Sequence, residues 1–301
     1  MKKVSVIIPA RNELYLKQTV CDLLAKATGE IEVIVILDGY WPIEALPDDP
    51  RLIIVHRERR GMRASINAGI AVSKGEYIMK IDAHCLIAEG YDETLKADCD
   101  KDWIVIPRRY ALDAETWSVR RHRAFVDYEY LSWPYRAKMK GKSNELGLHG
   151  WTWDERIISR INRLIDETMT FQGSCWFMPK EFFQRRIVQM DETGYGSFIG
   201  EAQELGLKAW LGGGQVMVNK KTWYAHLWKG EPYRNAYKEV IGQTYSRVGR
   251  SERDNGNRFS IDHWLNDRWE GRIHDFEWLI KRFAPIPSWP ADKSAWLKMR
   301  A

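Results

Sequence analysis

One stretch, KGEYIMKIDAHC at residues 74–85, constrains this chain more than any other. Its apolar run, residues 77–81, is short and bounded by Gly75 on one side and a polar cluster on the other, the mark of a buried strand of about five residues. In an extended chain, side chains two apart point the same way. Asp82 and His84 can therefore aim at one point beyond the strand's C-terminal end, where open α/β sheets bind ligands. A carboxylate and an imidazole converging there make a divalent-metal site, suited to Mn²⁺ more than Ca²⁺ because one ligand is nitrogen. The competing reading is a loop with an Asp cap and a surface His, since short motifs arise often by chance.

The flanking segments show what kind of sheet this strand joins. VSVIIP at 4–9 reads as a first buried strand, broken by Pro9 to Glu13. Val20, Leu23, Leu24 and Ala27 have helical spacing over 16–27. IEVIVIL at 31–37 is a second strand ending at Asp38, and 52–55 a third. A basic loop at 57–61 leads to a helix over 62–72. This alternation predicts an α/β fold with a mostly parallel central sheet and flanking helices. No G-x-G-x-x-G follows the first strand and no G-x-x-x-x-G-K-[ST] occurs, which lowers the dinucleotide and P-loop readings.

Composition removes other classes. No apolar run approaches the roughly 20 residues that span a bilayer, and Met1-Lys2-Lys3 running straight into a strand leaves no room for a signal peptide. Four cysteines without metal-ligand spacing suit reduced thiols, so a cytoplasmic location is expected, the host cytoplasm if the source is viral. The net charge of +5 permits an anionic partner without demanding one.

VSVIIPARNE, a second strand ending in Asp38, and RRGMRASINAGIAVSKGEYIMKIDAHC together resemble the nucleotide-binding half of GT-A glycosyltransferases of family 2. The D-x-H form is more similar to the polypeptide N-acetylgalactosaminyltransferases; most family 2 members carry D-x-D. The resemblance implies that Pro9, Arg11 and Glu13 line the nucleotide pocket. It implies that Asp38 accepts a hydrogen bond from uracil, and that Arg63 lies near the donor's phosphates or ribose. Asp82 and His84 would hold Mn²⁺ or Mg²⁺ on the diphosphate of a UDP-sugar.

The second half adds three resembling features. Residues 168–178 look like the strand under donor and acceptor, with Gly173 letting the sugar approach the backbone. Glu201 and Glu204, three apart on one helix face, resemble the family's acidic helix and supply the candidate catalytic carboxylates. A carboxylate pair at a helix N-terminus also serves as dipole compensation. His226 matches the late His that completes the metal set, and Trp228, Lys229 and Tyr233 match the loop that closes over the donor. One departure matters: inverting family 2 enzymes carry Glu-Asp where this chain has Glu201-Ala202. Either Glu201 or Glu204 is the base, or no enzymic base is used and the sugar is transferred with retention, the reading favoured here.

The resemblance covers about residues 3–233, so the expected organisation is a catalytic domain over 1–233 with a basic, aromatic acceptor-side insertion at 108–165, then a helical extension at 234–301. The insertion carries His149 in a GLHGWTW segment; the extension is rich in Trp and Arg, which reads as aromatic packing or as a nucleic-acid or glycan surface. The expected activity is metal-dependent transfer from a UDP-sugar to a hydroxyl of a protein or glycan. A hydroxymethylated base in DNA is the alternative acceptor. A nucleotidyltransferase and a non-catalytic nucleic-acid-binding protein are the readings from other classes.

Overall fold

The computed structural model describes residues 2–134, 147–245 and 248–290. Strands β1 (Val4–Ala10), β2 (Ile31–Asp38), β3 (Leu52–Arg57) and β4 (Tyr77–Ile81) alternate with helices α1 (Leu16–Lys26) and α2 (Met62–Val72). Next come β5 (Cys85–Ile87), α3 (Tyr91–Ala97), β6 (Trp103–Asp113), β7 (Ser118–Val119), β8 (Glu129–Leu131) and β9 (Gly150–Thr152). Then follow α4 (Asp154–Ser159), β10 (Ile165–Glu167), β11 (Cys175–Pro179) and α5 (Lys180–Phe182), which runs into a π turn at Phe183–Ile187. The chain continues through α6 (Glu201–Leu211), β12 (Gln215–His226), α7 (Glu231–Ile241), α8 (Arg250–Leu265) and α9 (Phe276–Phe283).

The main sheet has the order β10-β12-β6-β11-β4-β1-β2-β3, with β5 added on β12 and β7 on β6. β3, β2, β1 and β4 are parallel, as are β6 and β12, while β11 runs antiparallel between β4 and β6. The parallel strands are buried on both faces, which is why they read as unbroken apolar runs. Val4, Val6 and Ile8 of β1 pack with Leu23 and Leu24 of α1 on one side; Ile7 packs with Ile66 and Ile70 of α2 on the other.

Two boundaries differ from expectation. Residues 216–219 and 222–224 are one long strand, β12, with a register shift between Asn219 and Trp223 where it follows β6. The strand expected over 168–178 begins only at Cys175; the residues before it leave the ladder, and 171–174 line the cleft described below.

The C-terminal aromatics mostly pack. Trp264, Leu279 and Phe283 join the core that holds Trp153, Trp210 and Leu211, and Phe283 meets Trp210 edge-on at 5.2 Å. Trp269, Trp278 and Trp289 lie against the same cluster. Asp275 caps α9 by accepting from the Trp278 amide at 2.7 Å. Trp296 and Arg247, and the basic run at 135–142, lie outside the described residues. Among the described residues no helix is long and apolar enough to cross a membrane.

Trp264 is 1% exposed, so Trp264→Ala should cost about 3–5 kcal/mol of unfolding free energy. Urea denaturation measures this. A loss below about 1 kcal/mol would show that the extension does not share the core's cooperativity.

Candidate functional site

The site is built by strand register. Lys80 lies in β4, and Asp82 and His84 follow in the turn that joins β4 to β5. Immediately after them, β5 pairs antiparallel with the end of β12, setting Cys85 opposite His226. The Leu227 amide donates to the His84 carbonyl at 3.2 Å. Two imidazoles 142 residues apart thereby meet with their Nε2 atoms at 3.0 Å. Asp82 Oδ2 lies 3.2 Å from His226 Nε2 and 3.7 Å from His84 Nε2. The three donor atoms all fall within 4.8 Å of one another.

This trio fits a divalent cation on its chemistry. Burial lowers the pKa of His226 to about 4, against the opposing pull of Asp82, so its ring is neutral near pH 7 and its lone pair is available. His84 Nδ1 lies 3.2 Å from Glu13 Oε2, poorly aligned for a hydrogen bond but close enough to favour the proton on that nitrogen. Nε2 then faces the cluster as a lone pair, the outer carboxylate arrangement typical of metal-binding histidines. Burial alone would raise the pKa of Asp82; Lys80 foremost, with the two histidines, outweighs it and holds the carboxyl well below its usual range.

Lys80 is the functional residue that sequence reasoning missed. Its ammonium is 1% exposed and reaches Asp82 Oδ1 at 2.6 Å, the Gly173 carbonyl at 2.5 Å and Glu201 Oε2 at 3.1 Å. The available signal was a lone charge inside an otherwise apolar strand. Burial opposes its charge, but Asp82 and Glu201 prevail and raise its pKa. Trp176, the cross-strand partner of Lys80, donates from Nε1 to Glu201 Oε1 at 2.7 Å. Both Glu201 oxygens are thus engaged, while burial raises its pKa above the ordinary value.

Most expected residues do share one cleft of ≈ 1050 Å³ with the trio. Pro9, Arg11, Glu13 and Asp38 line one end; Gly173, Glu201, Trp228 and Lys229 line it further along. Lys229 holds Glu13 through both oxygens at 2.7 and 2.8 Å. Burial pushes the Glu13 pKa up, yet Lys229 and then His84 outweigh it and bring it to about 2. Asp38 accepts from the Arg60 amide at 2.7 Å and from the Gly61 amide at 2.9 Å, pinning the basic loop to the end of β2. Trp228 stands 72% exposed beside the cleft. Gly173 also makes room for a neighbour: a Cβ there would fall 2.6 Å from Glu201 Oε2, so the glycine admits the glutamate.

Three expected residues do not line the cleft. Arg63 is fully buried and pairs with Glu204; its Nη1 donates to the Ile199 carbonyl at 2.6 Å, and its guanidinium lies 4.4 Å from the Tyr195 ring. Its placement near the donor's phosphates is therefore corrected, because every direction of the guanidinium faces protein. Glu204 is corrected with it: besides Arg63 it holds Lys208 at 2.7 Å and accepts from the Asp191 amide at 3.0 Å, so it braces α6 and is absent from the cleft lining. Tyr233 stands behind the wall with its hydroxyl 3.4 Å from Glu13. His149 is also absent from the lining; its amide donates to Ser132 Oγ at 3.0 Å. Arg109, Glu129, Gln203, Tyr237 and Tyr245 line the cleft and carried no recognisable sequence signal.

Glu204→Gln should accordingly lower stability by about 3–5 kcal/mol, since it leaves Arg63 buried without its counter-charge. An unchanged urea midpoint would remove the pair from the fold's energetics.

Comparison with known proteins agrees with this geometry. The model of glycosyl transferase family 2 matches residues 5–186. A putative polypeptide N-acetylgalactosaminyltransferase 13 of Drosophila melanogaster is 23% identical across 94% of this chain and 56% of its own length. Polypeptide N-acetylgalactosaminyltransferase 6 of Mus musculus is 22% identical across 77% of the chain and 40% of its own. The chain thus spans about half, or less, of the curated relatives it matches. The crystal structure of GalNAc-T7 with UDP, GalNAc and Mn2+ superposes with a TM-score of 0.58 at 15% identity, covering 93% of this chain and 54% of that one, which establishes the shared fold. The chain belongs to glycosyl transferase family 2 and has the GT-A fold of that structure.

Proposed function

We propose that the protein is a metal-dependent glycosyltransferase that moves a sugar from a UDP-sugar to a hydroxyl on a protein or glycan. The observation that carries this reading is the meeting of Asp82, His84 and His226 in a large cleft of a family 2 fold. A relative's structure with UDP, GalNAc and Mn2+ supports it. Residues 1–233 would form the catalytic unit, with 108–165 on its acceptor side and 234–301 as a bracing extension. The free thiols Cys21, Cys85, Cys99 and Cys175 favour a reducing compartment, so we place the protein in the cytoplasm.

Asp82, His84 and His226 would hold Mn²⁺ or Mg²⁺, which when bound supplies a Lewis acid against the growing charge of the UDP leaving group. Pro9, Arg11 and Asp38 surround the nucleoside, with Asp38 fixed toward the cleft by the loop amides it holds. Lys229, kept charged by Glu13, adds a fixed cation facing the diphosphate. Trp228 would belong to the segment that covers the donor and excludes water, with Tyr233 supporting Glu13 from behind the wall.

The carboxylates of α6 support the retaining reading. Ala202 stands where inverting relatives carry their base, Glu204 is bound to Arg63, and both Glu201 oxygens are engaged. With none of these α6 positions offering a free carboxylate, the acceptor's proton would pass to the leaving phosphate oxygen as the new C–O bond forms and the old one breaks on the same face. That is transfer with retention. The DNA and nucleic-acid-binding readings lose much of their aromatic surface, because Trp264, Trp269, Trp278 and Trp289 pack against the core.

Asp82→Ala and His226→Ala should each reduce Mn²⁺-dependent hydrolysis of a UDP-sugar by at least about 100-fold, roughly 2.7 kcal/mol of transition-state stabilisation. Calorimetric Mn²⁺ titration should lose its binding signal while circular dichroism is unchanged. Wild-type turnover in either variant would end that residue's assignment as a ligand.

A further inference from the structure

The extension that the family resemblance leaves uncovered reaches the cleft. Val248, Gly249 and Glu252 line it together with Gly61, Ser197 and Gly200. Residues four apart are neighbours along a helix. Glu252, Gly256, Ser260 and Trp264 follow at that spacing in α8, and all four meet the turn at 194–200 that leads into α6.

The contacts run in order down the helix. Glu252 Oε1 accepts from the Ser197 amide at 2.6 Å and from its hydroxyl at 2.5 Å. A Cβ on Gly256 would fall 3.0 Å from the Tyr195 carbonyl and 3.2 Å from Ile199 Cβ, so the turn lies directly on the helix there. The Tyr195 hydroxyl meets Ser260 Oγ at 3.4 Å and accepts from Trp264 Nε1. The turn is also pressed from the other side. Gly61 lies against Ser197, since a Cβ there would be 2.5 Å from Ser197 Cβ, and the Arg63 amide donates to the Ser197 carbonyl at 3.3 Å. The Gly61 amide in turn donates to Asp38 at 2.9 Å. Ser197 is thus bolted between α8 and the start of α2, one residue from the loop that Asp38 holds.

Resting on the donor reading above, we propose that α8 belongs to the donor site and that Glu252 is a positioning residue, which fixes the wall at the nucleoside end through Ser197. The lower contacts, Tyr195 with Ser260 and Trp264, are buried and hold the base of the turn. Glu252 alone holds its cleft-side tip from the helix. The turn carries Gly194, Gly196 and Gly200, the last two at φ of +70° and +66°, so its tip has much backbone freedom to lose. With Glu252 gone, the Ser197 amide and hydroxyl lose their acceptor, and the nucleoside must order the wall as it binds. That cost falls on ground state and transition state alike, so it raises KM and leaves kcat. The metal trio is held by other contacts, Lys80 and the β5–β12 pairing, and does not depend on α8.

The experiment uses the full chain with Mn²⁺, UDP by calorimetry and a UDP-sugar in a hydrolysis assay. Glu252→Ala should raise the UDP Kd and the donor KM at least about tenfold, with kcat within about threefold of wild type. Glu252→Gln keeps an oxygen that accepts from both Ser197 groups, so it should restore both values to within about threefold. Gly196→Ala is a second route to the same effect, because its Cβ would fall 2.8 Å from Glu252 Oε1 and displace it. Hydrogen-exchange mass spectrometry without ligand reads the latch by itself: Glu252→Ala should speed exchange across 194–200 and Glu252→Gln should not. Unchanged UDP affinity in Glu252→Ala, with or without a lower urea midpoint, reduces α8 to a brace and overturns the proposal. A Gln variant as weak as the Ala variant overturns the positioning role, since the charge itself would then be what the nucleoside meets. If the wild type binds no UDP yet Glu252→Ala loosens 194–200, the donor reading fails and the latch stands without its nucleoside; unchanged exchange there removes the latch.

Discussion

The site depends on a single buried ammonium. Lys80 sits inside a strand at 1% exposure, where an uncompensated charge would be prohibitive. It is tolerated because three oxygens surround it: Asp82 Oδ1, the Gly173 carbonyl and Glu201 Oε2. Those oxygens come from the end of β4, the loop before β11 and the first turn of α6, so one cation ties together three segments that are remote in sequence. It also decides what Asp82 can do. With Oδ1 committed to Lys80, Oδ2 is left to face the two histidines.

The wider fold turns that local arrangement into a cleft. Parallel strands β1, β2 and β4 end on one side, and their terminal residues supply Pro9, Asp38 and Asp82. β11 runs antiparallel between β4 and β6. The chain entering β11 therefore passes Gly173 and Ser174 across the end of β4, where the Ser174 carbonyl accepts from the Asp82 amide at 2.9 Å. The short pairing of β5 with β12 delivers His226. α6 is clamped from below by Arg63 on Glu204 and braced by the C-terminal helices through Trp210 and Phe283. A helix so held can present Glu201 at a fixed height without spending substrate-binding energy on ordering it.

How legible this was in the sequence varied with the range of the interaction. Asp82 and His84 could be read as a pair because they close the same short segment, although β4 stops at Ile81 and a turn, not an extended strand, carries His84. The strands β1, β2 and β4 were legible as short unbroken apolar runs. His226 could be assigned only by resemblance, since nothing local says that residue 226 returns to residue 84; the β5–β12 register that brings it there is a tertiary fact. Arg63 and Glu204 were misread because helix position alone does not say which partner a charge meets. Both were expected at substrate, and each instead neutralises the other in the interior. Lys80 was overlooked because its neighbours made the segment read as apolar, though a lone charge in such a run is itself the warning. Glu129 lay in a stretch whose aromatic and basic composition drew attention away from its acidic residues.

The carboxylates near the cleft can be described by what holds them. Glu13 is gripped by Lys229, Asp82 by Lys80 and the histidines, Glu201 by Lys80 and Trp176. Each of these is bound by cations or ring donors close to the trio, where on the proposed function a leaving diphosphate would bring negative charge. Their own charge is thereby compensated, and the cleft does not repel the group it must stabilise. Glu129 also lines the cleft, with one oxygen on Arg109 and its carboxylate lying against the side-chain-free Gly150, so it too is held by its neighbours.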